Sequence, residues 1–137
     1  MTYTEGQIQG ILITSASPKF QIVNVSNDRG WEPRYNITIR VPKQMIASLV
    51  RALEHLNING QLIRERGRRL DTILIRRRMD ILRICDIFPP NVPTKSKGWT
   101  KFIRLMEKVR NGEHMNNDSR YEFEMIKNEE DRRERET

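Results

Sequence analysis

Residues 34–41 read RYNITIRV, and every second side chain is apolar. Tyr35, Ile37, Ile39 and Val41 fall on one side of an extended chain. Arg34, Asn36, Thr38 and Arg40 fall on the other. Side chains alternate across a strand, so this segment has one face to bury and one to leave in water. It therefore needs neighbouring strands for its backbone groups and an apolar layer over one face only.

The other elements are placed around that strand. Thr4 caps a helix predicted over 5–14, and Pro18 ends it. A strand is expected over 20–25, its uneven alternation suggesting a bulge or twist. Asn27, Asp28, Arg29 and Gly30 supply turn chemistry after it. Pro42 opens a helix over 43–57, where Ile46, Leu49, Val50, Leu53 and Leu56 share one stripe and Gly60 follows as a stop. Segments 61–66 and 70–76 read as a second hairpin, turned by Arg66, Gly67, Arg68 and Arg69. A third helix is expected over 77–88, with Ile81, Ile84, Cys85 and Phe88 on its core face. Pro89, Pro90 and Pro93 stiffen the next loop. A fourth helix spans 99–110, with Trp99, Phe102, Ile103, Met106 and Val109 on one side. Asn116 caps a fifth over 117–128. The order is α-β-β-α-β-β-α-α with this last helix appended. It implies an α+β fold in which two hairpins form a four-stranded antiparallel sheet, with helices on one face and a polar, arginine-rich face opposite. Residues 1–128 are expected as one domain and 129–137 as a charged tail that frays.

Composition narrows the function. The 137 residues suffice for one domain with a real core. A single cysteine, Cys85, excludes a disulfide framework or a cysteine-rich zinc site, and its apolar helix face suits packing. No apolar run approaches the ~18 residues of a membrane span, and no basic-then-apolar leader is visible. An intracellular, reducing compartment (cytoplasm or organelle matrix) is expected, with no membrane partner. The net charge of +7 is uneven: residues 122–137 carry −3 and residues 1–121 carry +10. Eighteen of the 25 cations are Arg, eight of them between Arg64 and Arg83. A concentrated field of this sign attracts polyanions, so nucleic acid is the expected partner. The expected contacts are Arg34, Asn36 and Arg40 on the alternating strand, and Arg64, Arg66, Arg68 and Arg69 in the second hairpin. Arg76, Arg77, Arg78, Lys95 and Lys97 are candidates for backbone phosphate. Arg and Asn can read guanine and adenine edges. Neither His55 nor His114 has a metal-binding partner at ligand spacing, and both read as surface residues. No nucleophile elbow or phosphate-cradling glycine loop occurs. Tyr35 shares the apolar face of its strand, whereas Trp31, in a turn, is open to core packing or base stacking.

Three stretches then carry a resemblance: IRRRMDILRI at 75–84, PTKSKGWTKF at 93–102, and NGEHMN at 111–116. In order and local sequence they resemble the LAGLIDADG homing-endonuclease family. They are similar to its entry into the third helix, its lysine-containing loop, and its GEHLT phrase before a final helix. The resemblance covers most of residues 8–127. It implies a saddle-shaped sheet laid on DNA, and a first helix that packs against its counterpart in a second copy of the repeat. One copy is present here, so a homodimer follows, with Gly6 and Gly10 on one helix face allowing close approach and Ala16 or Ser17 continuing it.

The motif itself departs from the family. ITSASPKF at 13–20 stands where the family has LIDADGSF, so Ser15 and Ser17 replace both acids and Pro18 the glycine. The second acid of the family holds the divalent metal that activates water, and a hard cation needs anionic oxygen. Aligning Gly10 with the motif glycine instead requires an insertion and still supplies no acid. Glu5, Asp28 and Glu32 are the nearest carboxylates in sequence. The expectation is therefore a nucleic-acid-binding protein on an endonuclease scaffold without cleavage, needing no cofactor. Its target is structured RNA or duplex DNA, as in a splicing maturase or a component of a ribonucleoprotein or ribosome. The alternatives are an active, site-specific homing endonuclease that uses an unrecognised acid and Mg2+, and a structural protein-interaction module.

Overall fold

The computed structural model describes residues 3–64, 66–89, 98–116 and 119–136, the last eight by backbone alone. Its elements run α1 (Glu5–Ser15), β1 (Ala16–Asn24), β2 (Trp31–Pro42), a 3-10 turn (Lys43–Met45), α2 (Ile46–His55), β3 (Gln61–Ile63), β4 (Leu70–Ile75), α3 (Arg78–Ile87), α4 (Trp99–Arg110), a second 3-10 turn (Glu113–Met115) and α5 (Arg120–Glu136). The α+β order and the four-stranded antiparallel sheet match the expectation, with strands in the order β1-β2-β4-β3. Contacts divide the chain into two compact units, Met1–Pro18 with Asn36–Ser96, and Lys19–Tyr35 with Lys97–Thr137. Strands β1 and β2 pass through both.

In the first unit, Thr4 closes a capping box on α1. Its hydroxyl accepts from the Gln7 amide at 3.2 Å, and Gln7 Oε1 accepts from the Thr4 amide at 2.8 Å. Pro18 disfavours helix at the residue before it, and α1 stops at Ser15. Strand β1 then starts four residues earlier than expected and includes Pro18. A proline is tolerated there because β1 is an edge strand and need not donate from every residue. Helix α2 is shorter than predicted, opening with the 3-10 turn and ending at His55. Its stop is Asn57 (φ 59°) and not Gly60. The Asn57 amide donates to Glu54 O and the Ile58 amide to Leu53 O, both at 2.9 Å, a Schellman closure with buried Ile58 packing behind it. Gly60 serves close approach instead, since a Cβ there would sit 2.5 Å from Ile73 Cγ2 and 3.2 Å from Ile75 Cγ1. The loop can cross β4 this closely only without a side chain. Asp80, buried on α3, accepts from the Asn59 amide at 3.1 Å and ties the same loop.

β4 pairs antiparallel with β2 in the register Ile37↔Ile75, Ile39↔Ile73 and Val41↔Asp71. These residues form the buried face, and Ile8, Leu12, Leu49, Leu53, Ile81 and Ile84 from α1, α2 and α3 complete the apolar core. Asp71 is the charged member of that face, and Lys43 lies 3.8 Å from its carboxylate.

The second unit is built on aromatics. Asn27 Oδ1 accepts from the amides of Arg29 (3.0 Å) and Gly30 (2.7 Å), which turns the chain into β2. Trp31 is the first residue of β2 and only 1% exposed, its ring 5.4 Å from that of Phe123. Base stacking by Trp31 is thereby excluded. Phe20 stacks on Phe123 at 5.9 Å and meets Tyr35 at 6.1 Å. α4 has its expected bounds, but Leu105 is buried and Ile103 only half-buried. His114 is buried in its 3-10 turn and not on the surface as expected. Asn116 follows that turn in extended conformation, and its carbonyl accepts from Ser119 Oγ at 2.8 Å. α5 therefore begins at Arg120, later than predicted, and continues to Glu136 through the segment expected to fray. Lys108 on α4 donates to Glu113 and Glu122, both at 3.1 Å, with its ammonium 5.8 Å from the Phe123 ring centroid. Burial opposes its charge, but the two carboxylates outweigh that and raise its pKa above 10.5.

Candidate nucleic-acid interface

The strand register fixes which residues share the sheet face opposite the core. Arg40 pairs with Thr72, Thr38 with Leu74 and Pro42 with Leu70 across β2 and β4. On the far side of β4, Gln61 pairs with Leu74 and Ile63 with Thr72. Directly opposed residues of an antiparallel pair point to the same side. The centre of this face is thus Thr38, Ile63, Leu70, Thr72 and Leu74 around a single guanidinium, that of Arg40. The expectation of an arginine-rich face is corrected here, because β4 places aliphatic and threonine side chains outward.

The arginines stand at the two ends instead. Arg64, Arg66, Arg68 and Arg69 lie in the β3–β4 connection, all exposed. β3 ends at Ile63, three residues sooner than predicted, and Gly67 in the connection has φ 75°. Arg76, Arg77 and Arg78 follow the other end of β4 and are also exposed, with Arg76 donating to Gln61 Oε1 at 2.9 Å. A concavity of about 460 Å3 opens on the face at the hairpin end, lined by Arg40, Arg68, Arg69, Leu70 and Thr72. Such a surface can hold phosphates at both ends and present a less polar middle to whatever lies between.

Asn36 lies two residues before Thr38 on β2, on the same side of the strand, and is half-buried. Arg34, in the second unit, is exposed and bonded to Glu32 at 3.0 Å. Lys95 and Lys97 lie outside the described residues. His55 is exposed and Cys85 buried, as expected. Leu70 and Thr72 gave no signal in the sequence: LDTILI at 70–75 has no clean alternation, so only pairing with β2 shows which residues face outward.

At the motif positions, Ser15 is the last residue of α1, its hydroxyl 3.3 Å from Thr14 Oγ1. Ser17 is exposed on β1, and its carbonyl accepts from Thr38 Oγ1 at 3.5 Å. Neither offers an anionic oxygen, so the two side chains do not fit a divalent metal. Among the described residues, no three His, Cys, Asp or Glu side chains gather so as to hold one. Gly6 and Gly10 are exposed on α1, and a Cβ at Gly10 would meet nothing within 4 Å.

This element order, sheet order and helical cover make the fold that of the LAGLIDADG homing endonucleases. Particular solved structures show it. The homing endonuclease I-TnaI is 17% identical, with a TM-score of 0.73 over 92% of this chain and 86% of its own. The LAGLIDADG meganuclease I-CpaMI, bound to uncleaved DNA, is 20% identical with a TM-score of 0.71 over 91% of this chain. The meganuclease I-SmaMI, bound to uncleaveable DNA, is 13% identical with a TM-score of 0.74 over 93%. The chain spans 43% of I-CpaMI and 44% of I-SmaMI. No protein-family profile and no curated protein sequence matches it.

Proposed function

We propose that this chain binds nucleic acid across the outer sheet face and holds it without cutting it. The observation that carries this reading is the placement of eight exposed arginines: Arg40 on the face, four in the β3–β4 connection and three beyond β4. Phosphates are most favourably met by guanidinium forks, and contacts at two ends of a surface set the register of a polyanion laid across it. The same fold is used by I-CpaMI and I-SmaMI, both crystallised on DNA. Non-cleavage is supported by Ser15 and Ser17, whose neutral hydroxyls are poor ligands for the hard cation that phosphodiester hydrolysis would need. No hydrolytic step is assigned to this chain. Duplex DNA and structured RNA both fit the charge, and a maturase-like or ribonucleoprotein setting suits a binder that does not cut. A second copy of the chain would dock along α1, where Gly6 and Gly10 leave the backbone open, and a two-fold pair would approach the length of the longer neighbours.

The test is filter binding of the full chain to duplex DNA and to structured RNA across a salt series, with and without magnesium. We expect affinity for at least one of them to fall by roughly 10³-fold between 50 and 200 mM salt, as for six or more phosphate contacts. Magnesium should yield no shortened product. Affinity that ignores salt would refute the reading in favour of a protein-interaction module. Magnesium-dependent cutting of a long duplex would establish the endonuclease alternative.

A further inference from the structure

The concavity on the outer face is lined by side chains of two kinds. The methyl-bearing ones are Thr72, 7% exposed, and Leu70, 42% exposed. Ile63 flanks Thr72 in register on β3. The others are Arg40, Arg68 and Arg69, and Arg40 stands directly opposite Thr72 across the strand pair. A guanidinium has donors and no acceptor. An exposed leucine by itself calls for no explanation, but here it shares the lining of one concavity with three arginines. Phosphate fits the arginines and gains nothing from the methyl groups. Among the groups that bases display in the major groove, the apolar one is the C5 methyl of a pyrimidine.

The atom next to that methyl decides which pyrimidine fits. Thymine presents the O4 acceptor, which a donor-only guanidinium satisfies. A 5-methylcytosine presents an amino donor, which the same guanidinium leaves unpaired. Resting on the nucleic-acid reading above, we infer that Leu70 and Thr72 form a specificity pocket for the thymine C5 methyl, with Arg40 placed to donate to O4. The flanking Arg68 and Arg69 hold the adjacent backbone.

The test starts with the full chain selecting duplexes from a randomised DNA pool. The selected duplex is then remade with deoxyuridine in place of one thymine at a time, and with a 5-methylcytosine–guanine pair at the same positions. Removing the methyl should weaken binding about fourfold at one or two positions (~0.8 kcal/mol for one buried carbon). The 5-methylcytosine duplex should bind no better than the deoxyuridine one. Leu70→Ser, at an exposed site, should abolish the distinction between thymine and uracil in a variant whose circular dichroism matches the parent's. Equal binding of thymine and uracil at every position overturns the inference and leaves salt-dependent binding standing. So does binding confined to RNA, whose uracil lacks the methyl. A 5-methylcytosine duplex that binds as well as thymine overturns the assignment to thymine. Loss of all salt-dependent binding overturns both this inference and the reading beneath it.

Discussion

Replacing Arg66, Arg68 and Arg69 together with Ala asks whether the β3–β4 connection is a phosphate rim. All three side chains are exposed, beyond the last residue of β3 and before the first of β4. Surface changes of this kind usually alter stability by no more than ~0.5 kcal/mol each, so the variant should melt within a few degrees of the parent. Each phosphate contact contributes about 0.9 to the slope of log K against log salt on duplex DNA, so three lost contacts lower the slope by roughly 2.7. Between 50 and 200 mM salt the parent should therefore lose roughly 40 times more affinity than the variant. The measurement is a salt titration of binding by filter retention, with circular dichroism at each salt to confirm a folded variant. Unchanged affinity and slope in a folded variant would show that phosphate is held elsewhere, and the rim assignment would be wrong.

Further expectations concern the loop and the ion cluster. Gly60→Ala forces a Cβ to within 2.5 Å of the Ile73 side chain, a stiff β-branched residue in the core, and should cost about 1–3 kcal/mol by thermal denaturation; an unchanged melting temperature would mean that the loop does not cross β4 so closely. Asn57→Ala should cost about 1 kcal/mol, because alanine resists the left-handed conformation at φ 59°, while Asn57→Gly should cost nothing measurable; equal losses in the two would refute the Schellman closure. Lys108→Met should lower stability by about 0.5 kcal/mol at neutral pH. Since the folded pKa of Lys108 is raised, its contribution is complete below 10.5 and fades as pH rises through the folded value. The gap between parent and variant should thus close in strong alkali, and a gap that widened there would contradict the assignment.

Much of the architecture could be read directly from the chain. The alternation at 34–41 demanded a one-sided sheet, and Ile37, Ile39 and Val41 are indeed its buried face. The bounds of α4 are as predicted, because Trp99, Phe102, Met106 and Val109 recur at helical spacing. The misses concern single residues. Trp31 looked like a turn residue because its burial depends on Phe123, more than ninety positions away. His114 lacked a partner in sequence, yet it is buried in its 3-10 turn. Gly60 resembled a helix stop because a glycine required by close approach and one required by positive φ look alike in a sequence.

The candidate site divides along the same line. Its charge was visible without any structure: the arginine run from 64 to 83, the excess of +10 before the acidic end, and serines where the resembling family carries acids. These are properties of composition and local order, which folding does not alter. What the sheet shows at its centre was not visible. LDTILI has no period of two, and a shift of one residue in pairing would turn every side chain of β4 to the opposite face. Only the pairing of Arg40 with Thr72 and Pro42 with Leu70 sends threonine and leucine outward and leaves the arginines at the ends. Register is set by long-range hydrogen bonding and by the burial of Ile73 and Ile75, so it belongs to the tertiary structure alone.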